Sequence, residues 1–156
     1  MLQLILYLNS MHNSYRILIL YFLVFSLLLL VSAILIYEHK IGLNIQDTLM
    51  YYIGNEVEFI EGKTLLGILK VNLAHSFVIA LFVMILLHFL VFTKFKKQVR
   101  TLTYLMYILV FFELFSALFI IYGFEFFAFI KIFSFFTLIA LILYVSFLLA
   151  KSILTR

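Results

Sequence analysis

Four uninterrupted apolar runs, each about as long as a bilayer is thick, constrain this chain more than any other feature. They are Ile17 to Tyr37, Val71 to Thr93, Leu102 to Tyr122 and Ile130 to Ala150. About 20 apolar residues suffice for a helix to cross the hydrocarbon core. With no water in that core, a spanning segment must satisfy its backbone groups internally, and a run of this length does so as an α-helix. Each run is bounded by charge: Arg16 and Glu38, Lys70 and Lys94, Arg100 and Glu125, Lys131 and Lys151. The expected fold is therefore an all-α membrane protein. Four transmembrane helices form an antiparallel bundle in a single integral membrane domain over residues 1–156, with a long connection over residues 38–70.

Composition agrees. Hydrophobic residues make up 67% of the 156 and charged residues 12%, against roughly half and a quarter in a soluble domain. A chain this small cannot hide that excess in a core, so the bilayer is its first partner. Disulfides and thiolate metal sites are excluded because cysteine is absent. The net charge of +4 does not point to nucleic acid, because the basic residues sit at the ends of the apolar runs. That placement reads as topology.

Counting Lys and Arg in the connections gives the expected orientation. One side carries Arg16, Lys94, Lys96, Lys97, Arg100, Lys151 and Arg156, with no acid. The other carries Lys40, Lys63, Lys70 and Lys131 against Glu38, Asp47, Glu56, Glu58, Glu61 and Glu125. The first side is expected to be cytoplasmic, with both termini there and residues 38–70 outside; the setting suggested is a bacterial cytoplasmic membrane. Residues 1–15 lack the basic start and small-residue cleavage site of a signal peptide. They read either as a short interfacial helix or as a leader to a start at Met11. Within the long connection, Asn44 or Asp47 is placed to cap a short helix ended by Gly54, lying on the membrane surface through Leu43, Leu49, Met50 and Ile53.

Chemistry inside the membrane is confined to few side chains. Proline is absent, and all five glycines lie outside the runs, so there is no broken helix of the kind on which transporters commonly bind substrate. Inside the bounding charges, Lys131 among them, the acidic and imidazole residues within the spans are His75, His88 and Glu113. Serines and amides gather with His75 and Glu113 in the half nearer the long connection: Ser32, Asn72, Ser76, Ser116, Ser134 and Thr137. A carboxylate at mid-span costs roughly 2.5 kcal/mol or more, so Glu113 is expected to face inward toward a partner. By depth, His75 is the expected one, and Glu113→Gln is expected to be tolerated.

Neutral imidazole is a good axial ligand for haem. Four spans with histidines on the second also resemble small membrane cytochrome b subunits at the level of overall fold. The 13-residue step from His75 to His88 sets the rings about 140° apart, a poor fit to two haems stacked on one helix. A single haem or quinone site would use His75 with His39 or Glu113, and His88 is a weaker candidate. No metal site is expected beyond that haem iron. No nucleophile–base pair or phosphate loop is present. The expected role is a non-enzymatic subunit, anchor or assembly factor acting through a membrane protein partner or self-association. The alternative is b-type haem or quinone-linked electron transfer.

Overall fold

The computed structural model describes the backbone from Leu2 to Leu154 and the side chains from Ser14 to Leu154. The alternatives raised for the leader up to Asn13 lie outside the described residues. Five α-helices follow in order: α1 (Leu2–Lys40), α2 (Ile45–Ile53), α3 (Leu65–Val91), α4 (Val99–Ile121) and α5 (Phe126–Leu154). A two-stranded hairpin, β1 (Gly54–Asn55) and β2 (Ile60–Glu61), sits between α2 and α3, and a short 3₁₀ turn, Lys96–Gln98, precedes α4. Among the described residues four helices are long and apolar enough to cross a membrane; they cover the four apolar runs except for Phe92 and Thr93 at the end of the second and Tyr122 at the end of the third. The molecule is a multi-pass helical membrane protein. Its two ends are called here the basic end (Arg16, the 92–98 connection, Lys151) and the loop end (residues 41–64 and 122–125).

The most extensive packing is between α4 and α5, followed by α3 against α4. The α4–α5 turn explains the first. Gly123, at φ 91°, directs the chain back on itself. Its N–H donates to the Ile120 carbonyl at 2.9 Å, and that of Phe124 donates to the Phe119 carbonyl at 3.1 Å. This pair of hydrogen bonds closes a helix C-terminus around a left-handed residue. Phe119 and Phe127 then stack across the turn at 4.3 Å. The core running down the bundle is aliphatic, with Val83, Leu86, Leu90, Met106, Val145 and Leu149 at its centre. A second cluster at the loop end joins Tyr52 of α2 to Ile68, Ala117, Ile120 and Ala128.

α2 begins as its residues dictate. Asn44 accepts from the Asp47 N–H at 2.8 Å and donates back to the Asp47 carboxylate at 2.7 Å, and Gly54 ends the helix. Thr48 and Tyr52 of α2 are buried against the bundle, while Leu43 and Ile53, two of the residues expected to meet the membrane surface, are exposed. Thr48 and Tyr52 lie on one face, four residues apart, and α2 docks by that face on α4 and α5.

The hairpin that follows is held close. A Cβ added to Gly62 would lie 2.3 Å from the Ile53 carbonyl oxygen, and the adjacent Lys63 N–H donates to the Tyr52 carbonyl at 2.8 Å. Backbone cannot yield as a flexible side chain would. Gly62→Ala is therefore expected to cost about 3 kcal/mol, the upper part of the usual overpacking range, by lifting the hairpin and the end of α2. A lowered thermal midpoint in detergent with unchanged helix content would show this; an unchanged midpoint would mean that the hairpin is not seated.

Candidate functional site

At the loop end, polar side chains that cross between helices gather around one residue that reads from the sequence as a boundary charge. Lys131, five residues into α5, is 4% exposed. Its Nζ lies 3.1 Å from Glu113 Oε1 and donates to the Glu113 backbone carbonyl at 2.6 Å. Glu113 lies eight residues before the end of α4, roughly 12 Å along the helix. A lysine near a helix end usually extends its stem to the interface. Here α2 closes that exit: the ammonium lies 5.7 Å from the centre of the Tyr52 ring, and Tyr52 is itself buried.

The next residue along α4 is tied from the opposite side. Asn72 of α3 donates through Nδ2 to the Leu114 carbonyl at 2.8 Å. Consecutive carbonyls of α4 thus accept side-chain bonds from α5 and from α3, clamping three spanning helices at one level. α1 joins through Tyr37, whose ring stacks on Phe135 of α5 at 3.9 Å. Tyr37 also lies within electrostatic range of Lys131, Tyr52 and Glu113. Glu113 Oε2 is buried without a hydrogen-bond partner among the described residues. Burial, reinforced by the negative charge of Glu113 and by Tyr51, pushes the Tyr52 phenol above its ordinary range. It stays protonated, a neutral roof over a charged pair.

The pairing expected of Glu113 is corrected by this geometry: its partner is Lys131, not His75. His75 is exposed, and its Nδ1 lies 2.9 Å from the Val71 carbonyl of its own helix. His39 is exposed on the last turn of α1. His88 is exposed near the end of α3, with its ring edge-on to Phe92 at 5.1 Å. Among the described residues no group of three or more His, Asp or Glu side chains is gathered as a metal site. The hydroxyls that made the loop-end half look chemically rich mostly bond within their own helices. Ser32 bonds the Leu28 carbonyl, Ser76 that of Leu73, Ser116 that of Phe112 and Ser134 that of Lys131. A serine in lipid commonly satisfies itself this way.

Sequence reasoning passed over Lys131, although a signal was available. Glu113 and Lys131 stand nine residues before and nine after Tyr122, at the turn of the aromatic hairpin. Equal offsets across a tight antiparallel turn bring two side chains to one depth, and opposite charges there would pair.

A family model described as a transmembrane helical domain matches residues 42–156, a stretch that begins just after α1 and takes in Tyr52, Asn72, Glu113 and Lys131 but not Tyr37. No curated protein and no solved structure gives a significant match to the chain.

Proposed function

This chain belongs to the Aq_1264_TM family of transmembrane helical domains, and from that premise we propose that it is a non-enzymatic component of a bacterial cytoplasmic membrane: a subunit, anchor or assembly factor that works through partners. The observation that carries this reading is the use made of the interior polar groups. Lys131, Glu113 and Asn72 bond to one another's helices at one level, beneath a ring that shields them. Groups spent on cohesion in this way support a scaffold. Partners would meet the outward faces, above all that of α1, where Tyr21 and Phe25 are 62% and 67% exposed.

One observation favours a second reading, b-type haem or quinone-linked electron transfer. A carbonyl oxygen only accepts, so the His75–Val71 contact places a proton on Nδ1. In the neutral ring Nε2 is then bare, the form that ligates iron. His39 or a partner's side chain would supply the second ligand.

The visible spectrum of the full chain, purified from haem-replete cells, separates the two. The scaffold reading expects a colourless protein, and a photo-crosslinker placed at Phe25 should then give a discrete adduct with a protein or with a second copy. A Soret band lost in His75→Ala would replace the scaffold reading with the second. Orientation is tested separately. With the all-basic side inside, a reporter active only outside the cytoplasm should work when fused after Glu58 and stay dark after Lys97; the reverse pattern would overturn the assignment.

A further inference from the structure

At the basic end a groove of about 340 Å³ opens between α1, α3 and α5, and we propose that it binds one anionic phospholipid. Its walls are apolar, with Ile19 and Leu149 buried at the base. Tyr15 stands edge-on to both Phe89 and Phe92, at 6.0 and 6.1 Å, which fixes an aromatic side wall. Its polar lining is Arg16, Thr93 and the buried Ser152. All three lie where an apolar run ends, so the groove passes from headgroup level into the hydrocarbon. A free anion would not use such walls. An amphipathic molecule with an anionic head would use both parts.

Arg16 is held in place for that head. Its Nη2 donates to the Ile153 carbonyl at 2.6 Å, which ties α1 to the last turn of α5 and sets the guanidinium at the groove mouth. A guanidinium's planar fork matches a phosphate in two parallel hydrogen bonds. The surrounding charge acts in the same sense. The end that holds the groove also carries Lys94, Lys96, Lys97, Arg100 and Lys151, with no acid among the described residues there. Basic pockets between spanning helices are where anionic headgroups are recognised.

The test uses the full chain in neutral detergent, delipidated and then titrated with phosphatidylglycerol, phosphatidylcholine or inorganic phosphate, with bound species counted by native mass spectrometry. One phosphatidylglycerol per chain is expected, held at least about tenfold more tightly than phosphatidylcholine and not displaced by millimolar phosphate. Arg16→Gln should abolish the preference. Lys97→Gln, which removes a charge from the same end but not from the groove, should leave it. Ser152→Leu fills the groove while keeping Arg16 and should weaken binding of both lipids, so the site remains testable where Arg16→Gln does not accumulate. Equal retention of the two lipids by the wild-type chain, displacement by phosphate, or equal loss in Arg16→Gln and Lys97→Gln would overturn the site.

Discussion

Lys131→Met should almost eliminate the protein from the membrane fraction. The replacement keeps the length and apolar stem of the lysine and removes only the ammonium. Glu113 then keeps a carboxylate whose Oε1 has lost its partner and whose Oε2 had none among the described residues. Removing one member of a buried pair costs about 3–5 kcal/mol, because the other is left charged and dry. That is a large part of the whole stability of a small domain. Glu113→Gln should cost less. The amide oxygen can still accept from Lys131, and the backbone carbonyl of residue 113, which takes the shorter of the two ammonium bonds, is untouched. The variant is still expected to insert and fold, with a partial loss of stability because the ammonium loses its counter-charge. Abundance and thermal midpoint should rank wild type above Glu113→Gln and that above Lys131→Met. A reversed order would mean that the ammonium, rather than the carboxylate, is the costlier charge to leave alone.

Tyr52→Ala should come next in effect. The ring is buried among Ile68, Ala117, Ile120 and Ala128 and stands over Lys131. Truncating a large buried aromatic residue costs about 3–5 kcal/mol through lost contacts and the cavity left behind. Here it also opens a water path to the ion pair. Two readouts are expected to move together: the thermal midpoint falls, and Lys131 becomes reactive toward a membrane-impermeant amine reagent, as mapped by mass spectrometry. Tyr52→Phe keeps the ring and should resemble wild type in both. Lys131 protected equally in all three would show that α2 is not its cover.

Much of the architecture could be read from the residues because it depends on length, punctuation and caps. Run lengths give the spanning helices, Asn44 and Gly54 delimit α2, and Gly123 between Phe-rich segments makes the α4–α5 hairpin. Which side of each span faces inward could not be read. A helix that is apolar all round carries no polar face to mark its exterior. On α3 the inward line runs through Asn72, Val83, Leu86 and Leu90, and the exposed His75 falls only about 20° from the direction of Leu86 by helical rotation. Nothing in the hydrophobic pattern separates these directions. Lys131 was hidden for another reason. At the edge of an apolar run it looks like an anchor, and only the fold of α2 over it turns it inward. The short hairpin depends on close backbone approach at Gly62 rather than on any alternation in its sequence.

The central claim is that the charges at Glu113 and Lys131 serve cohesion and nothing else inside the membrane. The most direct measurement replaces both at once, Glu113→Leu with Lys131→Met, and compares its stability with that of the two single variants. A pair that only holds helices together can be exchanged for packed apolar side chains at little cost, sometimes with a gain. The double variant should therefore recover most of the wild-type abundance and thermal midpoint that each single change loses. A double variant as depleted as the sum of the two single ones would contradict the account, since it would mean that the charges are not each other's partners.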